Sequence, residues 1–235
     1  KPIFIVGVPR CGSTMIEKVI ASGKKNISIG EETAIISFYV GEKMVAEESF
    51  ETGAEILKEN IIKRYKQRGF INEKNEYIFT DKSLDNFFFI GLIKKIFPNA
   101  KVINCKRNPI ASITSIFKNN LGDVSWAHNL KHIFEFFDIY HNRIKEFKKL
   151  HPGFIYDLQL EEFVKDPETE SKKLMDFCNL PWDKKCLEFY KRKDLKSRTA
   201  SNIQIRQPIF KGASDKHLPY KNILGKYGKK YNWFN

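Results

Sequence analysis

The sequence contains few cysteines and no long apolar segment. Its 235 residues include four cysteines, whose spacing matches neither a zinc site nor a disulfide-dense scaffold. We therefore expect reduced and mostly buried thiols at Cys11, Cys105, Cys178 and Cys186. No stretch approaches the ~18 consecutive apolar residues of a membrane-spanning helix, and no signal peptide is recognisable. These shortages argue against a disulfide scaffold, a zinc module and an integral membrane protein.

Acidic side chains are fewer than basic side chains in this sequence. The chain has 41 lysines and arginines against 28 aspartates and glutamates, which gives a net charge of +13. Such a charge attracts polyanions, so a nucleotide, a nucleic acid and an anionic membrane surface are all compatible with it. The basic residues are dispersed, however, and no nucleic-acid-binding module stands out. We expect no nucleic-acid partner, and we interpret the lysine-rich tracts at 145–149 and 191–196 as solvated faces.

The apolar segments alternate between strand and helix lengths. We predict strands over 2–6, 77–80, 101–106 and 153–157. Helices are predicted between and after them, over about 14–22, 32–48, 53–67, 84–97, 109–119, 126–150, 167–179 and 183–191. Strands separated by helices indicate an α/β fold, with a P-loop-type central parallel sheet and helices on both faces.

The length of the chain and its first residues predict how it is organised into domains. With 42% hydrophobic residues, the chain is large enough to bury the core of one domain over 1–235. It begins inside the first predicted strand, so we expect it to be trimmed from a longer protein. We also expect a cytoplasmic location.

The first predicted strand leads into a glycine-bounded loop and then a helix. The spacing of Gly7, Gly12, Ser13 and Thr14 fits a phosphate-binding loop, except that Ser13 replaces the lysine of a nucleoside triphosphatase. Gly12 permits close approach of the backbone to an anion, and N–H groups at the start of the helix point at it. Arg10 supplies the positive charge from inside the loop. The segment therefore predicts an anion-binding loop.

The strand predicted over 101–106 ends in cations. Lys106 and Arg107 stand where a P-loop ATPase or GTPase needs a carboxylate to hold magnesium. A cationic strand end can instead bind a phosphate monoester through charge-assisted hydrogen bonds. Pro109 opens the next helix, on which Ser115 can offer a hydroxyl to the same phosphate. This segment predicts a phosphate site that uses no metal.

Together these segments resemble the PAPS-dependent sulfotransferases. The resemblance is closest to the branch of protein-tyrosine sulfotransferases and of bacterial proteins that carry a sulfotransferase domain behind helical repeats. Residues 107–115 resemble the family's 3′-phosphate motif, which assigns that phosphate to Arg107 and Ser115. Residues 8–14 resemble its 5′-phosphosulfate loop, usually P-R-S-G-T-T, which here would consist of Pro9, Arg10, Cys11, Gly12, Ser13 and Thr14.

The resemblance also implies catalytic residues. The stretch 30–33 matches the family's G-E-E-T, whose second glutamate acts as the catalytic base, so that role falls on Glu32. Lys82 matches the lysine that follows the second strand and assists the leaving group. Arg10 would share this task by offsetting charge that grows on the bridging oxygen.

Two further segments bear on nucleotide binding. Ser201 and Lys216 belong to a polar stretch that resembles the family's tail, which closes over the nucleotide. Leu160 stands where the family often has a tyrosine, so no nucleotide contact is assigned to it, and Trp126 is a candidate pocket wall. The motifs follow the family's order, and the resemblance spans roughly residues 2–225 and implies the sulfotransferase fold.

The implied reaction is in-line transfer of a sulfuryl group from PAPS (3′-phosphoadenosine-5′-phosphosulfate), the cosubstrate, to a hydroxyl acceptor. It releases adenosine 3′,5′-bisphosphate and needs no metal. Tyrosylprotein sulfotransferases have arginines after the base that recognise acidic peptides, whereas Ala34 and Phe38 stand there in this chain. We therefore expect a saccharide or small-molecule hydroxyl more than an acidic peptide. His128 and His141, on the long predicted helix, are interpreted as surface or packing residues.

Two other functions compete with this one. A P-loop kinase-like phosphotransferase would use ATP and magnesium, and Ser13 together with the cations Lys106 and Arg107 argues against it. A noncatalytic basic domain for nucleic acid or anionic lipid would explain the net charge. It would not explain the order of the motifs.

Overall fold

The computed structural model describes residues 1–23, 27–45, 54–71, 78–119, 121–122, 124–192, 206–209 and 215–234, with the backbone alone at 45, 215 and 216. Its strands are β1 (Pro2–Gly7), β2 (Phe79–Asp81), β3 (Lys101–Lys106) and β4 (Ile155–Gln159). They form a four-stranded sheet in the order β2-β1-β3-β4, and every pair is parallel. The predicted α/β architecture with a central parallel sheet is confirmed.

Helices connect and flank these strands. The α-helices of the described ranges are α1 (Ser13–Ala21), α2 (Ile35–Val45), α3 (Ala54–Gln67), α4 (Ile90–Ile96), α5 (Pro109–Lys118), α6 (Leu130–Leu150), α7 (Leu160–Lys165), α8 (Pro167–Phe177) and α9 (Lys221–Gly228). Shorter 3₁₀ helices cover Leu84–Phe89, Ser125–His128, Lys184–Lys191 and Asp215–Tyr220. All residues of β1 are buried, which is typical of a parallel strand covered on both faces.

The register of the sheet decides which face each helix covers. Residues that pair across parallel strands point to the same face, and neighbours in one strand point to opposite faces. Ile3 pairs with Thr80 and with Lys101, so Asn104 points to the other face from Thr80. Glu17 of α1 bonds Thr80, whereas Tyr140 of α6 bonds Asn104. Helices therefore cover both faces, as predicted.

Several predicted boundaries were wrong for local reasons. The helix expected over 126–150 is interrupted at Asn129, whose side chain accepts a hydrogen bond from the Lys131 N–H (2.9 Å) and caps α6. The strand expected over 153–157 begins two residues later, because Gly153 has a left-handed φ of 76° and belongs to a turn. The expected helix over 84–97 is a 3₁₀ helix followed by α4. Helix α7 was not predicted.

The core joins the sheet to both helical layers. All four cysteines are free and buried within it, as expected. Phe87, Phe134 and Phe137 are buried in it. Within the described ranges, no helix is both long and apolar enough to cross a membrane.

Candidate active site

The predicted anion-binding loop joins β1 to α1 at the carboxyl edge of the sheet. Gly12 caps α1 with a left-handed φ of 92°, and its carbonyl accepts a hydrogen bond from the Ile16 N–H (3.2 Å). Arg10 also has a left-handed φ, of 68°. Ser13 and Thr14, the first residues of the helix, are buried beneath the loop. The chain therefore has the strand, loop and helix N-terminus that an anion site requires.

Gly7 and Gly12 are needed for close contacts. A Cβ atom on Gly7 would lie 2.7 Å from the carbonyl oxygen of Cys105 and 2.9 Å from Sγ of Cys11. A Cβ atom on Gly12 would lie 2.8 Å from Cδ1 of Leu160. Leu160, at the start of α7, thus packs against the loop from the β4 side. All three distances are shorter than real Cβ contacts, so a side chain at either position would require its neighbours to move.

The structure brings Arg10, Arg107 and Ser115 together. Nε of Arg10 donates to Oγ of Ser115 over 3.0 Å, and Nη1 of Arg107 donates to the Arg10 carbonyl over 3.0 Å. Burial, and then the neighbouring Arg107, lowers the pKa of Arg10. Burial also lowers the pKa of Arg107. Because two partly buried guanidinium groups lie side by side, a bound anion would offset the cost of both.

Helix α5 holds Ser115 in place. Its first residue is Pro109, which has no N–H to leave unsatisfied at a helix start. Asn108 caps the helix, since its side chain accepts from the Ala111 N–H over 3.1 Å. The Asn108 N–H in turn donates to Oε1 of Glu161 over 2.9 Å. The cap fixes the direction in which α5 leaves β3, and so the position of Ser115.

The stretch 28–31 runs beside β2. The Thr80 N–H donates to the Ser28 carbonyl (2.9 Å), and the Lys82 N–H donates to the Glu31 carbonyl (2.7 Å). Gly30 lies so near β2 that a Cβ atom on it would collide with the carbonyl oxygen of Thr80. The first residue of the predicted G-E-E-T stretch is therefore a glycine for steric reasons.

This pairing brings the two predicted catalytic side chains into contact. Nζ of Lys82 lies 2.7 Å from Oε1 of Glu32. The Lys82 side chain is 1% exposed, whereas that of Glu32 is 54% exposed. The pair therefore presents a carboxylate to the solvent above a buried ammonium group.

Asp81 forms hydrogen bonds with the neighbours of Glu32 and Lys82, a role that was not predicted from the sequence. Its carboxylate accepts hydrogen bonds from the Thr33 hydroxyl, the Tyr65 hydroxyl and the Ser83 N–H. Burial, followed by the charge of Asp81, raises the pKa of Tyr65. Asp81 thus joins α3 to both segments that carry Glu32 and Lys82. The available signal in the sequence was an acidic residue between the end of a predicted strand and the predicted lysine.

Glu17 was also missed. It lies on α1 between Ile16 and Val19, and all three side chains are fully buried. Burial raises the pKa of Glu17, and the charge of Lys82 opposes that rise. An acidic residue on the apolar face of a predicted helix was the signal that could have revealed it.

Other predicted residues lie elsewhere or outside the described part of the chain. Ser201 is outside the described residues, and Lys216 is described by its backbone alone, in a 3₁₀ helix. The prediction that Trp126 and His128 lie on the long helix was wrong, because they belong to the 3₁₀ helix before α6. Trp126 stacks on Phe136 with ring centroids 3.9 Å apart.

His141 takes part in an aromatic stack. It lies on α6 and stacks on Trp233, with ring centroids 4.9 Å apart and planes inclined by 14°. Burial, followed by the charge of Lys106, lowers its pKa to about 4. These contacts agree with its interpretation as a packing residue.

Comparison with known proteins finds a sequence relative. A protein of Aquifex aeolicus (strain VF5) with no described activity is 31% identical over 239 residues, which cover 95% of this chain and 31% of that protein. The chain thus spans about a third of the length of this relative.

Solved structures share the fold. The sulfotransferase domain of the Synechococcus PCC 7002 olefin synthase matches with a TM-score of 0.66 and 18% identity, over 93% of this chain and 87% of that one. Mouse sulfotransferase SULT7A1, in complex with PAP, matches with a TM-score of 0.57 and 13% identity, over 99% and 86%. These likenesses show that the chain has the sulfotransferase fold. The model of the sulfotransferase family matches residues 2–184, which is most of the chain, and this chain therefore belongs to the sulfotransferase family.

Proposed function

We propose that this chain transfers a sulfuryl group from PAPS to the hydroxyl of an acceptor and releases adenosine 3′,5′-bisphosphate. The contact between Lys82 and Glu32 carries the proposal. It places a proton acceptor and a cation together at the carboxyl edge of the sheet, where β1 leads into the anion-binding loop. We infer that residues 1–235 form one sulfotransferase domain. A longer protein that contains this domain would carry the same activity.

The donor would be held at both of its anionic ends. The loop of Pro9, Arg10, Cys11, Gly12, Ser13 and Thr14 would bind the 5′-phosphosulfate through backbone N–H groups and the Arg10 guanidinium. Arg107 and Ser115 would bind the 3′-phosphate. The hydrogen bond from Arg10 to Ser115 supports one continuous donor site, because it joins the residues assigned to the two ends. Ser201 and Lys216 would close over the nucleotide.

Glu32 would act as the base. Its exposed carboxylate can reach an acceptor hydroxyl, whose proton it takes as the acceptor oxygen forms a bond to sulfur. The bond from sulfur to the bridging oxygen breaks, and adenosine 3′,5′-bisphosphate leaves. Lys82 and Arg10 would offset the charge that grows on the bridging oxygen, a preorganised interaction often worth about 3 kcal/mol per donor.

The ion pair seen here would have to change during turnover. While Lys82 lies 2.7 Å from Glu32, each group neutralises the other. When Lys82 turns to the bridging oxygen, Glu32 gains the capacity to accept a proton. Donor binding would in this way prepare the base before the acceptor oxygen attacks the sulfur.

The acceptor is proposed from the start of α2. Ala34 and Phe38 are exposed there, Phe38 to 57%, and neither carries a charge. An apolar surface beside Glu32 fits a neutral acceptor such as a saccharide or a small-molecule alcohol or phenol. Arg68 is a cation near this surface, and its Nη1 donates to the Thr33 carbonyl over 3.2 Å.

Two measurements test the proposal. Mass-detected transfer of sulfate from PAPS to a panel of hydroxylated acceptors tests the activity. A thermal-shift comparison separates donor classes, because a ligand at 100 times its dissociation constant stabilises the folded state by ~2.7 kcal/mol. Stabilisation by adenosine 3′,5′-bisphosphate supports the proposal. Stabilisation by ATP with magnesium, or by a short oligonucleotide alone, would favour a kinase-like or a noncatalytic binding function.

A further inference from the structure

A buried carboxylate lies beneath the stretch that carries Glu32. Glu17, on α1, is 0% exposed, and its Oε1 accepts two hydrogen bonds. One comes from the Thr80 hydroxyl of β2 over 2.7 Å, and the other from the Glu31 N–H over 3.1 Å. Within the described part of the chain, no residue donates to its Oε2. One oxygen atom thus ties α1 to β2 and to the residue that precedes the proposed base.

Thr80 extends this connection to Gly30. The Gly30 N–H donates to Oγ1 of Thr80 over 3.2 Å, while the same hydroxyl donates its proton to Glu17. Three donors therefore converge on Glu17, two directly and one through Thr80. Hydrogen bonds to a charged acceptor are among the stronger ones in proteins. Together they hold the backbone of residues 30 and 31.

These hydrogen bonds hold the backbone of Glu31 in an unusual conformation. Glu31 has a left-handed φ of 52°, which a residue with a side chain adopts at a cost. Its N–H donates to Glu17, and its carbonyl accepts from the Lys82 N–H over 2.7 Å. Both backbone groups of the strained residue are therefore occupied. This turn directs the next residue, Glu32, towards Nζ of Lys82.

Two lysine side chains lie near Glu17 and the turn at Glu31. Lys18 follows it on α1, and Nζ of Lys18 lies 3.7 Å from Oε1 of Glu31. The buried ammonium of Lys82 also interacts with Glu17. Glu17 and Lys82 each lower the cost of burying the other, because opposite charges in a site shielded from water attract strongly.

We propose that Glu17 is a positioning residue that holds the turn at Glu31 and thereby sets Glu32 beside Lys82. Because Glu17 is fully buried, we assign it no contact with the acceptor or the donor. It acts through the backbone of residues 30 and 31, and its kinetic consequence rests on the sulfuryl transfer proposed above. A mere anchor between α1 and β2 would affect global stability and leave the turn in place.

Three variants separate these two roles. Glu17→Ala removes the acceptor for both direct hydrogen bonds. Glu17→Gln keeps a carbonyl oxygen that can accept them. Val19→Ala is the matched control, because Val19 is equally buried on α1 and its truncation weakens the same helix without reaching the turn.

The first measurement is amide hydrogen exchange at residues 28–33, which does not depend on any reaction. In Glu17→Ala we expect the Glu31 amide to exchange about 10- to 100-fold faster than in Val19→Ala, since it loses its hydrogen bond to a buried carboxylate. In Glu17→Gln the rate should stay within about threefold of the parent. Equal exchange in Glu17→Ala and Val19→Ala would overturn the proposal.

The second measurement is turnover with PAPS. We expect kcat to fall about 10- to 100-fold in Glu17→Ala and to recover in Glu17→Gln, while affinity for adenosine 3′,5′-bisphosphate changes less than about twofold in both. If Glu17→Ala does not fold, Thr80→Val replaces it, because it removes the hydroxyl that connects Gly30 to Glu17 and should show the same pattern. If the parent itself transfers no sulfate, the proposed function fails, and hydrogen exchange still decides the role of Glu17.

Discussion

Nε of Arg10 donates a hydrogen bond to Oγ of Ser115 over 3.0 Å, although 105 positions separate the two residues in the chain. Arg10 belongs to the loop after β1, and Ser115 belongs to the helix after β3. The two strands are neighbours in the sheet, so the elements that follow them meet at its carboxyl edge. A ligand with anions at two positions can therefore be bound by both elements at once.

Arg107→Ala tests the assignment of the 3′-phosphate. We expect it to weaken binding of adenosine 3′,5′-bisphosphate by ~1.5–3 kcal/mol, the contribution of a hydrogen bond between charged groups. Adenosine 5′-phosphate should be affected much less. Isothermal titration of the two nucleotides gives both values. Arg143→Ala is the control, since Arg143 is exposed on α6 and pairs with Glu146. Equal weakening of the two nucleotides would contradict the assignment.

Glu32→Gln tests the base. It keeps the size and polarity of the side chain but removes its basicity, so turnover at saturating substrate should fall roughly 10²–10⁴-fold. Affinity for PAPS should remain near the parent value. Steady-state kinetics and titration of PAPS measure the two effects.

Two further variants make the test of Glu32 sharper. Glu42→Gln, on the exposed side of α2, should leave turnover unchanged. Lys82→Ala should lower turnover more than nucleotide affinity, because its proposed interaction strengthens as the bridging oxygen becomes charged. Retained turnover in Glu32→Gln would move the base elsewhere, with His128 as the next candidate.

A panel of acidic tyrosine peptides, phenols and glycans tests the acceptor. We expect poor sulfation of the acidic peptides, because their carboxylates would meet Ala34 and Phe38, neither of which carries a positive charge to pair with them. Neutral acceptors should be used better. Mass-detected sulfate transfer provides the comparison, and preferential labelling of acidic peptides would restore a tyrosylprotein-type function. In that case Arg68→Ala should reduce the preference.

His141 gives a prediction about stability. Its pKa is about 4 in the folded state and about 6.5 for an unperturbed histidine, so the unfolded state binds a proton more readily. The stability that this difference provides is complete above pH 6.5 and is lost as the pH falls towards 4. The loss should amount to about 2 kcal/mol, less than the full shift implies, because the ring is partly exposed.

Chemical denaturation at pH 7.5 and pH 4.5 measures this effect in the parent and in His141→Phe. The phenylalanine keeps a ring against Trp233 but does not titrate, so the variant should lose less stability on acidification than the parent. His132→Phe, on the exposed side of the same helix, should behave as the parent does. An equal loss in all three proteins would show that other groups cause the pH dependence.

Elements that depend on neighbouring residues could be predicted from the sequence. Glycine spacing predicted the loop between β1 and α1, because only glycine tolerates the close contacts at Gly7 and the φ of Gly12. The apolar run at 101–106 identified β3, and Pro109 identified the start of α5. Capping by Asn129 and the turn at Gly153 are also local, but neither was interpreted from the sequence, so two boundaries were wrong.

Tertiary structure alone decided which distant residues meet. Register along β2 places Lys82 beside Glu31 and Glu32, and no periodicity along the chain encodes that register. Glu17 and Asp81 show the same limit. A carboxylate is buried at low cost only where distant donors converge on it, as Thr80 and the Glu31 N–H do on Glu17. Such convergence comes from the packing of helix against sheet, so the hydrogen-bond partners of these two carboxylates became visible only in the folded chain.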